Sequence, residues 1–382
     1  MKVKNVICGI LMLVLTIGLC ACAKKDGSVV SQDEASCETT DNSANTRRIN
    51  EEPLEHLIID ADVDEPDRDE YGVFSLQFSM PDTAAVKDRF FSETEIQVVN
   101  NDSDSMYITT SDGGEFSCNK YGLSYYASER QKWEEIASVM NYYTDADYYG
   151  EAASLDNMTK DEAEELAKTA IKDCAVGFTP IVTKCICMNH TDLMALQQNL
   201  LNDPDKHYDD FGKAFKLTSL DSSDDAYFVA FSFAYDDIPI FSQEEVSRVS
   251  YAATSMLTST AMGSNGMGGE MVITEDGVKY LEIMGASFTP TLSSSSEILT
   301  VDEAVEKLTE KYRLETLQSD RIYSSIYIEY MPIEKEAGQI YLTPYWCFDC
   351  SADNEQSGGN SPAIINSTRF NAITGEDFSY GG

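Results

Sequence analysis

Two widely separated stretches of this chain open on related residues, and that duplication constrains the fold more than any other feature. Met158-Thr159-Lys160-Asp161-Glu162-Ala163-Glu164-Glu165 and Leu299-Thr300-Val301-Asp302-Glu303-Ala304-Val305-Glu306 each place a Thr three residues before a Glu. At that spacing the hydroxyl and the carboxylate each satisfy a main-chain N–H that the first helical turn leaves without a partner. The apolar residue ahead of each Thr is placed to pack on the Ala at the fourth helical position as a staple. Both stretches are therefore predicted helix starts. Ala163, Leu166, Ala167, Ala170, Ile171 and Cys174 extend the first as an apolar stripe, and Ala304, Leu308 and Tyr312 extend the second.

Strand-like stretches follow each helix: residues 181–188, 227–235 and 270–283 after the first, then 322–330, 339–348 and 363–378 after the second. The first copy also carries a polar helical insertion, Thr191 to Phe215, and a Ser/Thr/Met/Gly segment from Phe241 to Gly269, both expected in surface loops. Ahead of the repeat, residues 57–63, 73–78, 96–99 and 106–110 alternate as strands, and Asp112-Gly113-Gly114 signals a hairpin. Ser128 to Tyr143 reads as a helix capped by Ser128 with Gln131. The expected fold class is α+β. A mostly β domain over 53–150 precedes two repeats, 151–290 and 291–382, each a helix packed on an antiparallel sheet.

The first 22 residues give an address. Lys2 and Lys4 supply a basic start, Val6 to Leu19 an apolar run shorter than the ~20 residues a spanning helix needs, and Leu19-Cys20-Ala21-Cys22 a small residue before a cysteine. This is the build of a processed export signal, and its end resembles the lipobox of bacterial lipoproteins. The resemblance implies removal of residues 1–21, diacylation of the Cys22 thiol and a place on the outer face of a Gram-positive type cell membrane. Cys20 fits less well, because Leu19 precedes it. Residues 23–52 have almost no large apolar side chains and are expected to be a flexible tether.

Charge narrows the partners. Against 66 acidic residues stand 27 basic ones, a formal net charge of −39, so nucleic acid and anionic lipid are excluded as partners. Membrane contact is expected through Cys22 alone. The acidic surface serves solubility first, and it is also suited to collecting Ca²⁺ or a cationic partner.

Several motifs carry chemistry by spacing. Seven cysteines follow Cys22 (Cys37, Cys118, Cys174, Cys185, Cys187, Cys347 and Cys350), an odd count that leaves at least one unpaired. Cys347-Phe348-Asp349-Cys350 has redox spacing but ends a strand instead of opening a helix, which favours a structural disulfide or inert thiols. Cys185, Cys187 and His190 have the ligand types of a zinc site, although in a strand the two cysteines share a face and serve equally as small core residues. Asp60, Asp62 and Asp64 alternate like the first ligands of an EF-hand, yet Glu65 and Tyr71 stand where that loop needs Gly and Glu. Ser117 and Lys120 match a Ser-x-x-Lys pair by spacing only. His56, His190 and His207 lie in no hydrolase setting, and Gly263 to Gly269 lacks the ending of a phosphate loop. Met256, Met262, Met267 and Met271 are core filling or an adaptable surface. The tyrosine pairs at 125–126, 142–143 and 148–149 suit half-buried strands or a stacking platform.

Thr300-Val301-Asp302-Glu303-Ala304, Tyr341-Leu342-Thr343-Pro344-Tyr345-Trp346-Cys347-Phe348 and Phe370-Asn371-Ala372-Ile373-Thr374-Gly375-Glu376 together resemble a PepSY-type module. The tandem arrangement is similar to the YycH and YycI proteins, extracytoplasmic partners of a membrane histidine kinase. As a whole the chain resembles uncharacterised clostridial lipoproteins whose mature part begins with an Ala-x-Val-x-x-Pro strand, matched by Ala61 to Pro66. Two departures stand out: Glu275-Asp276-Gly277-Val278 replaces the closing turn in the first copy, and a lipobox replaces the transmembrane helix. The resemblance implies no catalytic residue, no cofactor and no metal. It implies a non-enzymatic lipoprotein that binds or restrains a cell-surface protein or peptide. The alternatives are a solute- or glycan-binding receptor and a wall-modifying or redox enzyme.

Overall fold

A computed structural model describes residues 47–91, 94–119, 122–142, 154–174, 176–202, 219–242, 267–284, 288–336, 339–350 and 367–378. Residues 44–382 form one compact unit. The chain runs β1 (Arg47–Leu54), β2 (Leu57–Asp64), β3 (Tyr71–Phe78), α1 (Thr83–Phe90), β4 (Ile96–Asn101), β5 (Ser105–Thr110), β6 (Glu115–Asn119), β7 (Gly122–Tyr126) and α2 (Arg130–Tyr142). It continues through α3 (Lys160–Asp173), β8 (Thr179–Met188), α4 (His190–Asn202), β9 (Ala226–Tyr235), β10 (Ile238–Ile240), β11 (Gly268–Thr274), β12 (Gly277–Met284) and β13 (Phe288–Ser296). The last elements are α5 (Val301–Arg313), β14 (Arg321–Glu336), β15 (Gln339–Cys350) and β16 (Thr368–Asn371).

All sixteen strands belong to one mixed sheet, ordered β13-β3-β15-β14-β10-β9-β11-β12-β7-β6-β5-β4, with β2 on β14, β1 on β2, β16 on β15 and β8 on β9. This overturns the expected α+β arrangement. Among the described residues the architecture is mostly β, 51% strand against 23% helix with five helices, and neither helix of the sequence repeat has a sheet of its own. Strands from every part of the chain interlace: β14 takes β2 in parallel along Arg321–Tyr327 and β10 in parallel at Tyr330. β15 takes β3 along Ile340–Leu342 and β16 along Tyr345–Phe348. The physical reason is strand length. β14 and β15 have 16 and 12 residues, enough to divide one edge between two partners, and alternation along a strand fixes its faces but not the neighbour it takes.

Local readings fare better. Thr159 and Thr300 are the N-caps of α3 and α5, each with the complete capping box to Glu162 or Glu303. The start of α5 is bolted to the sheet, because fully buried Trp346 donates its indole N–H to the Leu299 carbonyl at 2.8 Å and Leu299 N–H bonds Ala372 O at 2.7 Å. Asn371 closes the following turn by accepting from Ile373 and Thr374 N–H at 2.9 and 3.0 Å. Gly375 ends it at φ 72°, a conformation that favours glycine. The Asp112-Gly113-Gly114 hairpin joins β5 to β6.

Two local expectations need correction. Helix α2 begins at Arg130 without the expected Ser128–Gln131 box, because Glu129 turns the chain at φ 67° and the Gln131 amide donates to Glu135 within the helix. Residues 47–52, expected in the tether, belong to β1. Ile49 is buried there, and Arg48 reaches across to Asp60 and Asp62 at 2.7 and 2.9 Å. The remainder of the tether and the leader, including Cys22, lie outside the described residues.

The main core lies on one sheet face, where Ala163, Ala167, Ala170 and Ile171 of α3 and Leu308 and Tyr312 of α5 join residues such as Phe231, Tyr330 and Trp346. On the other face α2 and α4 cover β9, β11 and β12 through Trp133, Ile136, Met140 and Leu193 against Phe228 and Val272. A third, small group there comprises Phe241, Met331, Tyr345 and Cys347. Among the described residues no helix is long and apolar enough to cross a membrane.

Candidate functional site

An odd separation along an extended strand sends side chains to opposite faces, so Cys347 and Cys350 of β15 part company. Cys350 packs on the main core and Cys347 on the small group. Both are free, since a bridge needs Cβ atoms that face each other. In register, Cys347 lies between Tyr327 of β14 and Arg369 of β16, with Glu329 at the next same-face position. Arg369 Nε donates to Glu329 Oε1 at 2.6 Å, and Cys347 Sγ donates to the same oxygen at 2.9 Å. The guanidinium also lies 4.8 Å from the Phe241 ring centroid.

This gathering of titratable side chains is buried: Arg369 and Glu329 are 5% exposed and Cys347 is 0% exposed. Burial first, and then the Glu329 charge, push the Cys347 thiol well above its ordinary value. Burial likewise raises the Asp349 carboxyl, which takes a hydrogen bond from Tyr327. A thiol held protonated and shut from solvent is no nucleophile. What the cluster does is tie β14, β15 and β16 together through one carboxylate.

The other motifs disperse. Cys185 and Cys187 face the main core, where burial pushes their thiols up to about 12 and about 11. His190 opens α4; its main-chain N–H donates to Asp225 Oδ1 at 2.7 Å, and its ring Nδ1 lies 2.7 Å from the same oxygen. Among the described residues no three His, Cys, Asp or Glu side chains are grouped to hold a metal ion. Asp60 and Asp62 are taken by Arg48, His56 Nδ1 lies 2.6 Å from Asp320, and Ser117 Oγ lies 2.8 Å from Ser124 Oγ. Met267, Met271, Tyr125 and Tyr126 are buried. Lys120, His207, Met256, Met262, Tyr143, Tyr148, Tyr149 and the Tyr142 side chain are outside the described residues.

Sequence reasoning missed two features. Glu270 and Glu282 stand directly opposite each other on β11 and β12, and the buried Tyr280 hydroxyl lies 2.8 Å from one and 2.7 Å from the other. A phenol has a single proton to give, so it serves one carboxylate at a time. The second feature is β4, which ends the sheet. Gln97 to Asn101 are all exposed, with Val98 at 48%, Val99 at 42% and neighbouring Tyr107 at 40%.

The hairpin geometry decides where the free main-chain groups of β4 point. Asp102 N–H bonds Ser105 O at 2.9 Å, and the register runs unbroken from Asn101↔Met106 to Val98↔Thr109 before a bulge at Gln97. Antiparallel alternation then turns Asn100 and Val98 toward β5 and aims the N–H and C=O of Val99 and Asn101 outward. Among the described residues five strands pair with a single other strand, β1, β4, β8, β13 and β16, and the outer edge of β16 is taken by residues 376–378 through the Phe370–Asp377 bridge. Of the other open edges, three carry residues that discourage strand addition, namely Arg47, Arg48, Glu51, Glu52 and Pro53 on β1, Pro180 and Lys184 on β8, and Pro290 on β13. Ile96-Gln97-Val98-Val99-Asn100-Asn101 has neither charge nor proline.

No family model and no curated protein matches the chain. Among solved structures it is similar to an uncharacterized protein from Eubacterium rectale ATCC 33656, with 15% identity and a TM-score of 0.51 over 87% of this chain and 93% of that one. At that identity the likeness speaks to the fold alone.

Proposed function

We propose that the chain is a non-enzymatic lipoprotein of the outer face of the cell membrane, anchored through Cys22, that binds a protein or peptide there. The observation that carries the reading is the end of the sheet, open among the described residues: β4 offers outward main-chain groups and exposed Val98 and Val99 with no charge or proline to repel a partner. The lipobox and the tether supply the address. The side chains that would suggest chemistry have structural work instead, Cys347 on Glu329 and His190 on Asp225.

The test is recovery of partners from intact membranes after crosslinking, with the wild-type chain and Cys22→Ala as baits. The expected outcome is a discrete protein or peptide enriched with wild type and lost with Cys22→Ala. Equal recovery by both, or none above background, removes the reading.

A further inference from the structure

We infer that β4 is the docking edge for an extended segment of another protein, one with an uncharged, β-branched centre and Lys or Arg at both ends, which adds to the sheet as a further strand. The inference rests on the protein-binding reading above and names the surface and the partner's chemistry. Strand addition draws affinity from main-chain hydrogen bonds and specificity from alternate side chains, and both are readable here.

Val99 and Asn101 supply the outward N–H and C=O groups. Val99 lies on the same face as buried Ile108, opposite it in register, so the partner residue beside it would continue the main core. Val98 and Asn100 share the other face with exposed Tyr107, which leaves apolar contact there as well. A centre of β-branched residues meets both demands.

Charge sets the ends. Glu95 precedes the strand, and Asp102 and Asp104 follow it, so an uncharged stretch is bracketed by carboxylates. A second copy of this chain is a poor occupant. Antiparallel pairing of β4 with itself would bring Glu95 of one copy toward Asp102 and Asp104 of the other, like charges across strands are destabilising, and each copy brings a net charge of −39. Basic residues at both ends of the incoming segment answer the same carboxylates with attraction.

The probe is a fluorescein-labelled peptide, Lys-Thr-Val-Thr-Val-Thr-Lys, titrated by anisotropy against the full chain purified from membranes in detergent. Saturable binding is expected, weakening with added salt and with a peptide whose terminal lysines are replaced by Glu. Val99→Pro deletes an outward N–H that β5 does not use, at an edge position where proline is tolerated, and should weaken binding on the order of tenfold with an unchanged circular dichroism spectrum. Two peptides, one N-methylated at both valines and one at all three threonines, test the same hydrogen bonds against the unaltered protein, and because alternate N–H groups face β4 binding should be lost with one of the two.

Equal affinity for the Lys and Glu peptides, or undiminished affinity for both methylated peptides, overturns the inference. So does rapid-exchange protection of the Val99 and Asn101 amides in the free chain, or a dimer in sedimentation that Val99→Pro dissolves. Peptide failure while wild type still recovers a membrane partner removes the β4 edge and leaves the proposed function standing. Peptide binding with no membrane partner does the reverse.

Discussion

Arg369 and Glu329 put two charges where almost no water reaches, and such a pair is held by mutual compensation more than by net attraction. Taking ions from water costs several kcal/mol each, and the gain on pairing roughly returns it. Removing one partner strands the other, so Arg369→Met or Glu329→Leu alone should cost about 3–5 kcal/mol. The double replacement should lie near wild type, and urea unfolding of the four proteins closes the cycle. A small coupling energy would show that Cys347 and Phe241, not the ion pair, hold the site. None of this is legible in order along the chain. Cys347 and Cys350 advertise themselves by spacing, but the strand's two-residue period separates them, and Glu329 and Arg369 meet Cys347 only through the registers of β14 and β16 with β15.

At the scale of the element, the information is local and the sequence carries it. Thr159–Glu162 and Thr300–Glu303 sit within one turn of each other, so the caps of α3 and α5 follow from spacing alone, as do the apolar stripes behind them. Thr159→Ala and Thr300→Ala should each cost about 1 kcal/mol and add, since the two caps share no partner. The Thr159 and Thr300 N–H groups hold the Glu162 and Glu303 carboxyls below their ordinary value. A depressed carboxyl contributes its stability above the unfolded value of about 4.3 and loses it as pH falls through the folded value. The difference between wild type and Glu162→Ala or Glu303→Ala should therefore shrink in acid, read from urea midpoints across pH. Where the element's signal is not apolar, sequence misses it. β1 reads Arg-Arg-Ile-Asn-Glu-Glu-Pro-Leu, and what places it in the sheet is Ile49 in the core, Arg48 between Asp60 and Asp62, and Arg47 on Asp302 of α5.

For the whole molecule, duplicated helix starts suggest duplicated folding units, and the sheet denies it. β2 takes β14 on the edge that β1 leaves open, and β3 lies between β13 and β15, so Leu57, Ile59, Val63, Phe74 and Leu76 share one core with strands from the far end of the chain. Pairings of such sequence separation leave no trace in any local window. They also couple the ends: a chain cut after Ser296 would lack α5, β14, β15 and β16 and would expose that apolar surface, leaving β2 with β1 alone and β3 with β13 alone. Were the N-terminal part a self-sufficient domain, the cut chain would keep a sharp unfolding transition. One continuous sheet requires otherwise. The truncated chain should show no cooperative melt, bind hydrophobic dye and be digested throughout, while the intact chain melts in a single step with equal calorimetric and van't Hoff enthalpies. Two resolved transitions in the intact chain, or a protease-resistant core in the shortened one, would mean that the strand pairings across the chain contribute little and that the segments fold apart.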